Sequence, residues 1–117
     1  MNQQAPRLPL QRTARHLARQ LTALQLRCHS VTYAQRLSEL VDQILTPIAQ
    51  RIDELEVVSA GTTLNDLLEQ ANRCTTALLA MLASCPNTLT AAELAPLLSP
   101  AIRLLTEAEG KAMEVRA

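Results

Sequence analysis

Residues 10–31 read LQRTARHLARQLTALQLRCHSV, and they carry the clearest hydrophobic pattern in the chain. The apolar positions step by four and three residues, at Leu10, Ala14, Leu17, Leu21, Leu24, Cys28 and Val31. This spacing puts them on one side of an α-helix, because the helix completes a turn in about 3.6 residues. The stretch therefore predicts an amphipathic helix that packs lengthwise against other helices.

The composition of the whole chain favours the same secondary structure. Of the 117 residues 48% are apolar, mostly leucine and alanine, while Tyr33 is the single aromatic residue and glycine occurs twice. Leucine and alanine favour helices, whereas the β-branched and aromatic residues that favour strands are scarce. The sequence predicts an all-α protein, with a flexible tail over residues 1–9 and one helical domain over residues 10–117.

A second apolar stripe follows the first and is shifted in phase by about one residue. It comprises Leu37, Leu40, Val41, Ile44, Ile48, Ile52 and Leu55. The shift predicts a turn near residues 29–32, and the alternative is one continuous helix with an irregular heptad. Pro47 lies inside this stripe. Because proline lacks an amide hydrogen and its ring collides with the preceding turn, we expect a kink there.

A third helical segment is delimited by capping signals. Gly61 occupies the position of a left-handed helix end, and TLND at residues 63–66 has the spacing of a capping box that opens the next helix. The predicted buried side of this helix is formed by Leu64, Leu67, Leu68, Ala71, Cys74, Leu78 and Leu82. Pro86 should end the helix, because the residue before a proline avoids helical backbone angles.

A fourth segment opens with another capping box, TAAE at residues 90–93. Pro96 should end a short turn, after which Ser99 caps the main helix. Its predicted buried side is formed by Leu97, Ala101, Leu104, Leu105, Ala108, Ala112 and Val115. Four amphipathic segments with short connections predict an up-and-down bundle of about four helices. The alternative is three helices, of which the N-terminal one is long.

Charge is distributed unevenly along these helices. The first 38 residues contain no acidic residue, whereas DELE at residues 53–56 loads the C-terminal end of the second helix with acids. The helix dipole disfavours basic residues at an N-terminus and acidic residues at a C-terminus. A turn near residues 29–32 would bring Arg7 and Arg12 alongside Glu54 and the helix around Ala49 in an antiparallel helix pair, and the two unfavourable charges would then offset each other.

The residue inventory argues against catalysis and metal binding. The histidines, His16 and His29, have no carboxylate partner at a useful spacing, so the sequence assembles no general base. Cys28 and Cys74 fall on apolar stripes and fit packing roles, and Cys85 belongs to no ligand motif. The spacing of cysteine and histidine completes no tetrahedral zinc site. We expect a protein that is not an enzyme and that uses no cofactor and no metal.

The one candidate functional feature is a cationic face on the first helix. On a helical wheel His16 and four arginines fall within about 120° of one another, opposite the leucine stripe. The candidate residues for an anionic partner are Arg12, Arg15, Arg19 and Arg27. We expect a small protein–protein interaction or adaptor module that binds a protein partner or itself, with a dimer as the simplest assembly. Helices 1 and 2 also carry more leucine and isoleucine than a small bundle readily covers.

Nucleic acid is the alternative partner, with the same arginines contacting phosphates. A net charge of zero and the near absence of aromatic residues for base stacking weigh against it. The longest apolar run, residues 77–83, is far too short to span a membrane. Three cysteines without a pairing pattern indicate a reducing compartment, so we expect a cytoplasmic protein.

Overall fold

The computed structural model describes the backbone of residues 7–30, 37–84 and 90–116, and the side chains of residues 10–29, 37–84 and 90–112. Within these ranges the chain is helical except for short corners, and it contains no β-strand. The segments are α1 (Arg7–Ser30), α2 (Leu37–Leu40), a π-helical turn (Val41–Leu45), α3 (Thr46–Val58), α4 (Asn65–Ser84), α5 (Ala91–Leu97) and α6 (Ser99–Arg116). The prediction of an all-α protein is confirmed.

Helix α1 begins at Arg7, so the backbone of the last three residues of the predicted tail is helical. Pro9 is accommodated there because the amides of the first helical turn have no partner inside the helix, and proline therefore loses no hydrogen bond. Residues 1–6 lie outside the described part of the chain. So do residues 31–36, which include part of the predicted turn.

Helices α1 and α6 run antiparallel along their length. Arg15 contacts Glu109 near one end of the pair, and Gln25 donates to the Ser99 hydroxyl near the other. Residue numbers therefore rise along α1 as they fall along α6. Helix α1 makes its most extensive packing contacts with α6, and it also packs against α5 and α3.

The remaining helix pairs alternate in direction as well. Leu10 of α1 lies beside the C-terminal end of α3. The side-chain amide of Asn72 in α4 donates a hydrogen bond to Asp53 Oδ1 in α3, and that of Asn65 donates to the Glu56 carbonyl oxygen. Residue numbers therefore rise along α4 as they fall along α3, and the two helices are antiparallel. Helix α4 packs on α3 and α6, which places it diagonally across the bundle from α1. The result is the predicted up-and-down bundle of four helices, in which residues 37–58 act as one helix and α5 leads into α6.

The predicted stripe of α1 lies in the core. Its members from Leu10 to Cys28 are each at most 3% exposed, while Val31 lies outside the described residues. Burying a leucine side chain contributes about 1.5 to 3 kcal/mol relative to exposure, so this stripe is a major source of stability. The predicted side of α4 is also inward, with five members buried and Leu67 and Cys74 partly buried.

The helix around Pro47 accommodates the proline by a π-helical turn instead of a sharp break. The amide of Thr46 donates to the carbonyl oxygen of Val41, five residues earlier, and the backbone stays helical through Leu45 and Thr46. Such a turn takes up about one extra residue, which rotates the following helix relative to an ideal α-helix. Leu40 and Leu45 are therefore both fully buried although five residues apart. Leu45 is absent from the predicted stripe, which assumed a regular α-helical period.

The corner between α3 and α4 is built differently from the predicted capping box. Gly61 has a φ of 85°, which confirms the left-handed position expected for it. The hydroxyl of Thr62 donates to the Ser59 carbonyl oxygen and accepts from the amide of Leu64. Helix α4 begins at Asn65, inside the predicted box of residues 63–66. The Thr62 hydroxyl, which precedes that box, therefore makes two of the side-chain hydrogen bonds of this corner, one to the Ser59 carbonyl oxygen and one from the Leu64 amide.

The second predicted capping box is confirmed at the start of α5. The Thr90 hydroxyl accepts from the Glu93 amide, and the Glu93 carboxylate accepts from the Thr90 amide. The predicted inward position of Leu97 is wrong, because Leu97 is 38% exposed and Leu98 is fully buried. Ser99 is the first residue of α6 rather than its cap, so the register of this corner differs by one residue from the prediction.

Candidate interaction surface

The outward side of α1 carries the predicted cationic face. Arg12, Arg15, His16, Arg19 and Arg27 are all exposed. They lie there because the apolar stripe on the opposite side of the same helix packs against α3, α5 and α6. Packing therefore orients the face toward solvent, and its role in binding stays a prediction.

Arg15 lies at the edge of this face that borders α6. Its Nε donates to Glu109 Oε2 at 2.6 Å, across 94 positions of sequence. The side chain of Arg15 is 45% exposed and that of Glu109 is 20% exposed. Gln25 lies along the same edge and donates to the Ala95 carbonyl oxygen and the Ser99 hydroxyl. This edge of α1 serves the internal packing of the bundle.

The other edge of α1 borders α3, where the sequence predicts that Arg7 and Arg12 come alongside Glu54 and the helix around Ala49. Leu10 and Thr13 line a small cleft with Glu54, while Arg12 is turned outward. The antiparallel helix pair thus exists, but Thr13 and not Arg12 borders the cleft beside Glu54, and the side chain of Arg7 lies outside the described residues. Successive residues of a helix point about 100° apart, so the rotation of α1 about its own axis decides which of the two faces α3.

Arg12 and Arg19 differ from the arginines on other helices in having no ion pair with any residue that the structure describes. Every arginine of α3, α4 and α6 whose side chain the structure describes has a carboxylate within 4.0 Å: Arg51 has Glu54, Arg73 has Glu69 and Arg103 has Glu107. The last two pairs have the i to i+4 spacing at which side chains of one helix lie side by side. The two unpaired guanidinium groups follow from the absence of any acidic residue in α1.

These two arginines belong to a continuous strip along the outermost side of α1. The strip consists of exposed residues at spacings of four, three, four and three: Arg12, His16, Arg19, Ala23 and Leu26. We call it the cationic strip. Arg12 and Arg19 are two turns apart, about 10 Å along the axis at 1.5 Å per residue. Arg27 lies next to the strip in the last turn of α1, where the negative end of the helix dipole stabilises a positive charge.

A groove with the opposite charge lies between residues 37–58 and α4. Two adjoining clefts of about 350 and 410 Å³ form it and share Thr46 and Leu79 in their walls. The charged side chains in its described walls are Asp42, Asp53 and Glu54, and no basic residue or residue of α1 contributes. We call it the acidic groove.

The acidic groove was not predicted, because Asp53 and Glu54 were interpreted as acids at a helix end. One signal could have found it. In a regular α-helix the eleven residues from Asp42 to Asp53 make about three turns and put the two carboxylates on one side, although the π-helical turn at Val41–Leu45 alters this register.

The buried cysteine has no reactive surroundings. Cys28 is 2% exposed, and burial among apolar side chains raises the pKa of its thiol. Among the residues that the structure describes, no group of three histidine, cysteine, aspartate or glutamate side chains could hold a metal ion. No helix in the described ranges combines the length and the apolar character needed to cross a membrane.

Comparison of the chain with protein-family models, with curated proteins and with solved structures finds no match.

Proposed function

We propose that the protein is a small non-enzymatic interaction module whose cationic strip binds an acidic surface of a protein partner. The observation that carries this proposal is the unpaired state of Arg12 and Arg19. Both are exposed on the outermost side of α1, and neither has a carboxylate partner in the described part of the chain. By contrast, Arg51, Arg73 and Arg103 on α3, α4 and α6 each have a carboxylate partner on their own helix. A carboxylate on a partner protein would give Arg12 and Arg19 the kind of ion pair that these three arginines already have.

Arginine suits this role because its planar guanidinium can donate two parallel hydrogen bonds to one carboxylate. Arginine is also enriched among the residues that dominate the binding energy of protein interfaces. At the C-terminal end of the cationic strip Leu26 is 64% exposed, and it adds apolar surface that a partner can remove from water. The strip therefore combines charge for orientation with an apolar contact for affinity.

The histidines support a binding role over a catalytic one. His16 and His29 are both exposed on α1, and neither forms a hydrogen bond to a carboxylate of the described residues. A histidine that acts as a general base is commonly held by a second group that orients its ring. A solvated histidine on a binding surface needs no such partner.

Nucleic acid is a second candidate partner, and the same strip favours it. Two unpaired guanidinium groups about 10 Å apart on one helix can contact two phosphates of a backbone. Against it stands the acidic groove, which a polyanion would avoid, and the zero net charge of the chain. Binding of this kind would show little sequence preference, because phosphates carry no base identity.

The test compares two labelled probes by fluorescence anisotropy, a glutamate-rich peptide and a DNA duplex. The variant R12A/R19A removes two unpaired arginines, and the matched control R73A/R103A removes two arginines that already have carboxylate partners. Both variants lose the same charge from exposed helix positions, so a difference between them reports position and not net charge. Circular dichroism checks that each variant stays folded.

We expect the wild-type protein and R73A/R103A to bind the peptide alike, and R12A/R19A to bind about tenfold more weakly, equivalent to about 1.4 kcal/mol. Equal affinities of the two variants, or no peptide binding at low salt, would contradict the proposal. Tighter binding of DNA than of peptide, with an affinity that falls steeply as salt rises, would favour the second candidate.

A further inference from the structure

We infer that the partner is a second copy of this chain, and that the cationic strip of one copy lies in the acidic groove of the next. This inference rests on the proposed function and names the partner of the same strip. It draws on a property of the whole molecule: the net charge is zero, yet unpaired positive charge and clustered negative charge occupy separate surfaces.

Among the residues that the structure describes, no ion pair joins the two surfaces within one molecule. The cationic strip points away from the bundle core on α1, whereas the acidic groove is walled by residues 37–58 and α4. Helices α1 and α4 are diagonal in the bundle, so the strip faces away from its own groove. Only another copy can bring the two together.

The charges of the two surfaces are complementary, and the reach of the arginine side chains makes up the difference in spacing. Arg12 and Arg19 lie about 10 Å apart along their helix, and Asp42 and Asp53 lie about 16 Å apart along theirs, at about 1.5 Å per residue. Arginine side chains are long and flexible, so both guanidinium groups can reach carboxylates from one position of the helix. Glu54 adds a third carboxylate at the same end of the groove as Asp53. The described walls contain no basic side chain, and Arg51, whose Nε is 4.0 Å from Glu54 Oε1, lies outside them.

The shape of the two surfaces fits a helix in a groove, a recurrent mode of recognition between helical proteins. Ala23 of the strip is small, and Ala49 and Ala83 are small residues in the groove walls, so two helices can approach closely there. Leu26, at the end of the strip, can meet apolar side chains of the groove such as Leu79. These contacts would add apolar burial to the ion pairs.

The contact is heterologous, because the strip of one copy meets a different surface on the next. Such an assembly keeps one free strip at one end and one free groove at the other. Copies therefore add head to tail, and the average mass should rise continuously with concentration instead of stopping at a dimer.

The test is a complementation experiment between two charge-reversed variants. R12E/R19E gives the strip the same negative sign as its groove, and D42K/E54K gives the groove the same positive sign as its strip. All four positions are exposed, so both variants should fold, and circular dichroism checks that they do. Glu54 is 4.0 Å from Arg51, and both side chains are more than half exposed, so loss of that pair has little effect on stability.

We expect the wild-type protein to self-associate at about 0.1 M salt and to dissociate at about 1 M, where the Debye length falls from about 10 Å to about 3 Å. Each variant alone should associate at least about tenfold more weakly, by analytical ultracentrifugation across a concentration series. An equimolar mixture of the two should regain association, because each mixed contact again joins opposite charges.

Failure of the mixture to associate, or wild-type association that either variant leaves unchanged, would overturn the inference. A wild-type protein that remains monomeric at all concentrations would also overturn it. In that last case the peptide experiment decides separately about the proposed function. Binding of the glutamate-rich peptide that depends on Arg12 and Arg19 would retain the interaction module with an acidic partner other than itself.

Discussion

Replacing Leu21 by alanine is expected to lower the free energy of unfolding by about 3 kcal/mol. Leu21 is fully buried in the middle of the α1 stripe, between Leu17 and Leu24, which are also buried. Leucine to alanine changes at such sites cost about 2 to 5 kcal/mol, the sum of lost transfer free energy and of the cavity that remains. Leucine and alanine have nearly equal helix propensities, so the loss reports tertiary packing and not helix formation.

For a chain of this size 1 kcal/mol corresponds to roughly 4 °C in melting temperature, so the midpoint should fall by about 12 °C. The matched control is Leu26→Ala, five residues along the same helix, where the side chain is 64% exposed. Its effect should stay within about 0.5 kcal/mol. Denaturant titration at high salt and low protein concentration measures both without a contribution from self-association.

Equal effects of the two substitutions would refute this reasoning, because α1 would then not be anchored in the core by the side assigned here. A further substitution, Leu21→Asp, places an unpaired carboxylate in the same site. Because a buried unpaired charge must be desolvated, this variant should lose more stability than Leu21→Ala.

Three other predictions follow from particular residues. Gly61→Ala should lower the unfolding free energy by about 1 kcal/mol, because φ at Gly61 is 85°; a Cβ there meets no atom within 4 Å, so the backbone angle is the only cost. Gly110→Ala, at an exposed position of α6, should raise the unfolding free energy by about 0.5 to 1 kcal/mol, because alanine favours a helix over glycine. Shifts of equal sign in denaturant titrations of the two variants would contradict this backbone argument. A double-mutant cycle on Arg15 and Glu109 should give a coupling free energy of at most about 1 kcal/mol that decreases as salt is added, because the Arg15 side chain is 45% exposed. A coupling free energy of zero at low salt would show that this ion pair does not help to join α1 to α6. Burial raises the pKa of the Cys28 thiol above its ordinary value of 9.0, so the folded state holds this proton more tightly than the unfolded state does. The stability that results is present below pH 9.0 and is lost as the pH rises through the raised pKa. Cys28→Ala should therefore lose less stability at alkaline pH than the wild-type protein, and an identical loss would contradict the assignment.

Local features of this protein could be predicted from the sequence because their causes lie within a few residues. The stripe from Leu10 to Cys28 follows from helical periodicity, and its burial follows from the hydrophobic effect. The capping box of Thr90 and Glu93 depends on a spacing of three residues. In these cases the interacting residues are close in sequence and therefore close in space, so the sequence pattern predicts the observed structure.

Tertiary structure decided the features that depend on contacts between distant residues or on the rotation of whole helices. Arg15 belongs by sequence to one cationic face, yet the approach of α6 pairs it with Glu109 and leaves Arg12 and Arg19 without ion pairs among the described residues. Leu45 is buried because a π-helical turn rotates the helix, which a regular period cannot anticipate. The acidic groove exists only because two helices far apart in sequence lie side by side. Periodicity specifies which side of a helix is apolar, whereas packing against its neighbours specifies which charges remain exposed beside it.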